Sequence, residues 1–154
     1  KMPKIPYIFR ILASGIGSGG FGYIYGGSFL DSIAAFFIGL ILYIFVTYSK
    51  EKSITKVISN IMGSSFVAVC AIVLYNLRLG DNIDKIIIGS IVSLLPGVAF
   101  TNAIRNIIDG DYLSGVISLL DAILVAVSIA VGVGVVLKIY NYLYVGGGLW
   151  FFKW

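Results

Sequence analysis

Apolar segments of membrane-spanning length recur along the whole chain, and this pattern restricts its fold more than any other feature. The five segments lie at residues 7–25, 29–48, 54–77, 86–108 and 113–137. Each is close to the roughly 20 residues that an α-helix needs to cross hydrocarbon. Only 12% of the residues are charged and the mean hydropathy is +1.03, so a soluble domain would lack the polar surface that keeps it dissolved. We predict an all-α integral membrane protein, a bundle of five transmembrane helices in one domain at 1–154, with an aromatic interfacial tail at 138–154.

The fourth segment contains Pro96 and Gly97 in the middle of an apolar helix. Proline removes one backbone hydrogen bond and presses against the preceding turn, which should leave the Val92 carbonyl without its donor. An unpaired carbonyl in hydrocarbon costs several kcal/mol, so such a break persists only where protein, water or a solute supplies the partner. We therefore expect a helix that is broken at Pro96-Gly97, beside a cavity.

Polar side chains follow this break. At roughly 100° per residue, one face of a straight helix carries Ser90, Ser93, Gly97, Thr101 and Arg105, flanked by Asn102 and Asp109. A polar face over a broken membrane helix is typical of a translocation site. The alternative is a tolerated kink followed by an interfacial arginine, and the residues alone favour neither.

Two further aspartates lie in or beside apolar segments. Asp121 is about two turns into the fifth segment, where insertion costs on the order of 2.5 to 3.5 kcal/mol, so it should have a partner. Arg105 is the nearest cation by topology, and the pair could be a structural brace or a proton-linked switch. Asp31 follows Ser28 by three residues, which is the pattern of a helix cap with its acidic partner. The alternative for Asp31 is that it binds a proton or a substrate amine.

Glycines and serines crowd the first segment. Gly15 with Gly19 and Ser18 with Gly22 form overlapping pairs of small residues four apart, a spacing that lets helices approach closely. We expect this helix to be packed centrally in the bundle. The third segment carries polar and small residues on one side, for which we expect a packing role: Asn60, Gly63 and Ser64.

Several classes of function are not expected. There is no histidine and a single cysteine, Cys70, so a zinc or haem site is not expected, and we predict no metal and no other cofactor. There is no phosphate-cradling glycine loop with its lysine and no nucleophile elbow, so we do not expect an enzyme. The net charge of +4 comes from basic residues at the segment ends, so membrane topology explains it without a nucleic-acid partner.

Five crossings would place the two termini on opposite sides of a multi-pass protein. The amino-terminal side would carry Lys1, Lys4, Arg10, Lys50, Lys52, Lys56 and Arg105, and the other side Arg78, Lys85, Lys138 and Lys153. Positive charge concentrates on the cytoplasmic side, so a cytoplasmic amino terminus is expected. The chain opens with Lys1 ahead of Met2, and we expect it to be a fragment or a processed product.

Two stretches are similar to a known family. The run LLPGVAFTNAIRNIIDGDYLSG, from Leu94 to Gly115, closely resembles the central signature of the bacterial threonine/serine exporter family. The run GGSFLDSIAAF, residues 26 to 36, is similar to the family's pattern after its first span. The resemblance extends from about Ile11 to Leu137 and corresponds to the membrane part of the first half of the longer members.

The resemblance implies a secondary carrier, or one subunit of it, that exports threonine and serine across the bacterial inner membrane at the expense of the proton gradient. A second membrane subunit or a homo-oligomer is expected, because the second half is absent, and the expected partners are lipid and a small amino acid. Some split members are associated with dicarboxylate export, which would need a second cation in the pocket. A non-transporting assembly module is the third possibility.

The chemistry of the residues fits an amino acid substrate. Arg105 could hold a carboxylate, while Thr101 and Asn102 could bond a hydroxyl in a pocket opened at Pro96 and Gly97. Candidates for proton or charge coupling are Asp31, Asp109 and Asp121. We expect the pocket between the fourth and fifth segments, covered by the glycine-rich first helix.

Overall fold

The computed structural model describes residues 6–52 and 55–145, which form six α-helices and one 3₁₀ turn. The helices are α1 (Tyr7–Ile24), α2 (Phe29–Glu51), α3 (Lys56–Asn76), α4 (Ile83–Ile91), α5 (Gly97–Ile108) and α6 (Tyr112–Val145), and the 3₁₀ turn is Val92–Leu94. The predicted helices agree with these bounds to within a few residues, except that α6 continues into the expected tail. The rest of that tail, 146–154, and the lysines at positions 1 and 4 lie outside the described residues.

Three helices are long and apolar enough to cross a membrane: Phe29–Ser49 in α2, Lys56–Asn76 in α3 and Tyr112–Leu143 in α6. The stretches Ile83–Leu94 and Gly97–Ile108 qualify together as one pair that is bent by 57°. The described residues therefore contain three to four candidate spans in an all-helical membrane protein. The expected fifth span, the glycine-rich α1, remains a prediction.

Small residues bring α1 into close contact with two neighbours. Its four buried residues are Gly15, Ser18, Gly19 and Gly22, the predicted overlapping pairs. A Cβ atom built at Gly19 would lie 3.0 Å from the Ser32 carbonyl oxygen of α2, and one built at Gly89 of α4 would lie 2.8 Å from the Gly22 Cα. The expected close packing of this face is thus confirmed, with backbone against backbone where α1 crosses α4.

The contacts of α6 fix the course of the broken segment. Lys56 pairs with Asp121, and the Ser65 hydroxyl donates to the Gly132 carbonyl at 3.2 Å, so α3 and α6 run in parallel. Gly115, near the start of α6, packs against Ala103 and Ile107 of α5, whereas α4 faces residues 126–137 of α6. The segment from α4 to α5 therefore follows α6 along its length in the opposite direction. This course agrees with the expected single broken span, since a re-entrant loop would return to the side it came from.

The apolar core lies where α2, α3, α4 and α6 meet. Its most buried members are Ile38, Leu42, Val67 and Ile86, with Val125 and Ile129 of α6 beside them. Charged groups mark the two ends of this bundle.

The Lys56–Asp121 pair lies at the start of α3, and the Asp31 carboxylate bonds the chain just beyond the end of α3. Because α3 has 21 residues, these two charged levels are about 30 Å apart, which is the thickness of bilayer hydrocarbon.

Candidate functional site

The break in the fourth segment is built by the 3₁₀ turn and Pro96. Leu95 is extended (φ −62°, ψ 135°), as expected for a residue before proline, and α5 begins at Gly97. The Leu95 N–H donates to the Val92 carbonyl at 3.2 Å. The predicted break is confirmed, but the predicted orphan carbonyl is wrong, because the tighter turn gives Val92 a donor three residues on instead of four.

The break leaves donors at the start of α5. Phe100 is the first residue of α5 whose N–H bonds back within the helix, to the Pro96 carbonyl at 2.9 Å. The N–H groups of Gly97, Val98 and Ala99 therefore have no partner inside α5, and the positive end of the helix dipole is located there. A Cβ built at Gly97 would meet no atom within 4 Å, so a small group could approach these donors.

This break lies inside the apolar part of the bundle. A Cβ built at Gly63 of α3 would be 3.8 Å from Leu94 Cδ1, in the 3₁₀ turn. Gly63 follows Lys56 by two helical turns, so the break is about 10 Å from the Lys56–Asp121 level and about 20 Å from the opposite one.

Three serine hydroxyls meet beside the break. Ser93 Oγ, in the 3₁₀ turn, is 3.0 Å from Ser14 Oγ and 3.2 Å from Ser18 Oγ of α1, and the Ser14 hydroxyl donates to the Gly39 carbonyl at 3.1 Å. The small-residue spacing of α1 predicted only close packing, so this hydroxyl cluster was not expected from the sequence. The signal available was that the small-residue face of α1 contains hydroxyls as well as glycines.

The polar residues of α5 lie on the side turned away from the bundle. Ala103, which packs on α6, is buried, whereas Thr101, Asn102 and Arg105 are exposed. The Thr101 hydroxyl donates to the Gly97 carbonyl at 2.9 Å. The single continuous face expected to join these residues to Ser90 and Ser93 is wrong, because the 57° bend and the 3₁₀ turn separate the two halves. The structure thus keeps Thr101, Asn102 and Arg105 together and places them apart from the serine cluster.

The ion pairs differ from the expected one. Asp121 pairs with Lys56 at 2.6 Å, and Arg105 Nε lies 3.6 Å from Asp109 one turn along α5. The predicted Arg105–Asp121 pair is wrong, because the tight turn between α5 and α6 sets Arg105 near the first turn of α6, well before Asp121. Asp121 is also 51% exposed at the end of the apolar layer, and not buried within it.

Asp31 is fully buried and holds two parts of the chain together. Its Oδ2 accepts the Ser28 N–H at 2.9 Å while the Ser28 hydroxyl accepts the Asp31 N–H at 3.2 Å, which is the predicted cap. Its Oδ1 accepts the N–H groups of Asp81 and Asn82 at 2.6 and 3.1 Å. The capping interpretation is confirmed, and a role of Asp31 in coupling stays a prediction.

Comparison with known proteins identifies the family of this chain. A family model described as "Putative threonine/serine exporter" matches residues 1–140. The chain belongs to the threonine/serine exporter family. The resemblance drawn from Leu94 to Gly115 is thereby confirmed, and membership in a transporter family agrees with the apolar helices of a multi-pass membrane protein. No curated protein and no solved structure gives a significant match.

In this member of the exporter family, a cavity of about 660 Å³ lies between α4 and α6. Its lining is almost entirely apolar and includes Leu95 and Ala126, with Asp84 as the single charged residue. The small-residue face of α1 packs against α2 and α4, so the expected polar pocket covered by α1 between the broken span and α6 is wrong. Among the described residues, no group of three or more metal-ligating side chains is present.

Proposed function

We propose that this chain is a secondary transporter, or one subunit of a transporter, that exports small hydroxy amino acids such as threonine and serine, coupled to protons. The observation that carries this proposal is membership in the threonine/serine exporter family over residues 1–140 of 154. The break inside the apolar layer supports it, because transporters commonly bind their solutes at interrupted membrane helices.

We also propose a five-pass topology in a bacterial inner membrane with a cytoplasmic amino terminus. The antiparallel contact of α1 with α2 and the single crossing by α4 and α5 support five passes, which put the termini on opposite sides. On this topology Arg10, Lys56 and Arg105 lie on the amino-terminal side, and the excess of positive charge on that side supports the orientation.

The groups around the break suit a zwitterion with a hydroxyl. The free N–H groups at the start of α5 and the helix dipole favour a carboxylate, and the serine oxygens of the cluster can accept from an ammonium or a hydroxyl. We therefore place Pro96 and Gly97 nearest the substrate. We place Thr101, Asn102 and Arg105 on the route from the break to the Lys56–Asp121 end of the bundle.

A partner is part of the proposal. Polar side chains on membrane helices normally face protein or water and not lipid. The polar face of α5 points away from its own bundle, so a second membrane subunit or a second copy of this chain would cover it. Asp109 and Asp121, at that same end, would then be the carboxylates best placed for proton coupling.

The test is threonine transport in proteoliposomes that contain the chain with and without candidate partners. Vesicles loaded with labelled threonine should release it faster when a pH gradient is imposed, and a protonophore should abolish the acceleration. Pro96→Ala should slow this flux at least about tenfold while the protein still folds, because it restores the helix hydrogen bond at the break. Gly134→Ala is the matched control, since a Cβ there meets no atom within 4 Å.

Two outcomes would overturn the proposal. Flux of succinate without flux of threonine would indicate a dicarboxylate carrier. Assembly with a partner in the absence of any solute flux would indicate a scaffold, and Arg105→Gln and Asp121→Asn would then have no effect.

A further inference from the structure

The buried polar side chains of the described helices differ in whether and how they form hydrogen bonds. The hydroxyls of Ser64, Ser90 and Ser128 donate to carbonyls of their own helices, at 3.1, 2.7 and 2.6 Å. Asn60 of α3 is 8% exposed, and its amide has no hydrogen-bond partner in the described part of the chain. A neighbouring serine, Ser59, can rotate its hydroxyl onto a backbone carbonyl one turn back, whereas an amide has two N–H donors and a carbonyl to satisfy.

The unpaired amide of Asn60 is not completely sealed by the protein. Among the described residues, no buried side-chain nitrogen or oxygen that is sealed from solvent lacks a partner. Because the Asn60 amide has no partner, its atoms must be among those that still touch solvent. The amide is therefore mostly enclosed by protein, and some of its polar surface stays accessible.

The depth of Asn60 follows from the parallel packing of α3 and α6. Lys56 lies opposite Asp121, and Ser65 lies opposite Gly132, so Asn60 is level with about Ala126. Ala126 lines the same cavity as Leu95, the residue immediately before Pro96. Asn60 itself is not part of that lining, but it lies at the depth of the break.

Asn60 also shares the buried face of α3 with Gly63, one turn further along. Gly63 abuts Leu94 of the 3₁₀ turn. The α3 register thus gives the depth of Asn60, and the Gly63 contact shows that the face of α3 that carries Asn60 packs against the broken span.

An amide that is more than nine-tenths buried and has no hydrogen bond from the protein lowers stability, because it loses most of its hydration and gains no bond in return. An apolar residue of the same size would serve the folded chain better at this position. The amide therefore calls for a partner that the described residues do not provide.

We propose that Asn60 contacts the substrate: its Nδ2–H donates to the carboxylate of a small amino acid at the break, and its Oδ1 accepts from the ammonium group. This inference rests on the proposed transport function and extends it to a residue of α3. It assigns α3 one wall of the binding site, opposite the free N–H groups of α5.

The experiment compares wild type with Asn60→Leu, which nearly preserves side-chain volume and removes the amide. In proteoliposomes, Asn60→Leu should raise the KM for threonine at least about tenfold, equivalent to about 1.4 kcal/mol of lost binding. In detergent, its Tm should be unchanged or higher. Ser64→Ala is the matched control on the same face of α3, and it should leave KM unchanged because that hydroxyl bonds its own helix.

The outcomes separate this proposal from the function on which it rests. If wild type transports threonine and Asn60→Leu has the same KM, the Asn60 proposal is wrong while the function stands. A fall in Tm that accompanies the loss of transport would make Asn60 a structural residue and would also overturn it. If wild type transports no threonine, the proposed function fails. The Asn60 proposal is then tested by measuring whether added threonine or serine raises the Tm of the protein. If the ligand raises the Tm of wild type but not that of Asn60→Leu, the contact is supported. If the ligand does not raise the Tm of wild type, the contact is refuted.

Discussion

Replacing Asp31 by asparagine distinguishes a helix cap from a coupling carboxylate. In the wild type, Oδ2 holds the Ser28 N–H and Oδ1 holds those of Asp81 and Asn82. An asparagine amide keeps one oxygen and turns its NH₂ group toward at least one of these donors. At least one of these part-buried N–H groups then loses its partner, which costs about 1 to 3 kcal/mol. Asp31→Ala removes both acceptor oxygens and all three hydrogen bonds, and we expect a loss of about 3 to 5 kcal/mol, moderated because Asp81 and Asn82 are exposed residues where water can replace the carboxylate.

The assay is SDS-driven unfolding in mixed micelles, with threonine flux measured on the same preparations. A cap predicts that Asp31→Asn loses stability by this amount and that the flux remaining keeps its dependence on the pH gradient. Asp81→Asn is the matched control, because Asp81 is exposed and bonds Asp31 through its backbone N–H, which the substitution keeps. Full stability of Asp31→Asn together with flux that ignores the pH gradient would refute the capping account and make Asp31 a coupling residue.

Three further perturbations follow from the same structure. Gly89→Ala should lower the free energy of unfolding in SDS by about 1 to 3 kcal/mol, because its Cβ would lie 2.8 Å from the backbone of α1. Gly134→Ala, whose Cβ meets no atom within 4 Å, should be neutral or slightly stabilising. Equal effects of the two substitutions would refute the close contact. A double-mutant cycle on Lys56 and Asp121 should give a coupling below about 1 kcal/mol that weakens with added salt, since both side chains are more than half exposed; a larger, salt-independent value would indicate a buried pair. Hydrogen bonds with Ser114 lower the pKa of Asp111 below the usual aspartate value. The ionised carboxylate caps α6, so it stabilises the folded state at a pH above the pKa that Asp111 has in the unfolded chain. This stabilisation is lost as the pH falls through the lower pKa of the folded state. The acid side of the unfolding profile should therefore flatten in Asp111→Ala, and an unchanged profile would contradict the cap.

Local sequence rules predicted most of the fold. Pro96 predicted the break, the small residues of α1 predicted its close packing, and Ser28 with Asp31 predicted a cap. Gly110 takes φ +87° in the turn between α5 and α6, as expected for a glycine in that reversal. Each of these depends on residues within a turn or two of each other, which is why the sequence could show them.

The site depended on contacts between distant residues, and here prediction was weaker. Lys56 and Asp121 are 65 positions apart, and only the parallel packing of α3 and α6 brings them together. The contact of Ser14 with Ser93, and the bonds of Asp31 Oδ1 to the backbone at 81–82, also join parts of the chain that are far apart in sequence. A helical wheel also assumes a straight helix, so it joined Ser93 to Arg105 across a bend that separates them.

The broken span also constrains how the protein enters the bilayer. With 9 residues in α4 and 12 in α5, neither half has the length of about 20 residues that an independent hydrophobic stop signal needs. The two halves must therefore leave the insertion machinery as one unit. Ala103 and Ile107 pack against Gly115 of α6, so we expect stable integration of the broken span to wait until α6 has been synthesised and has joined it.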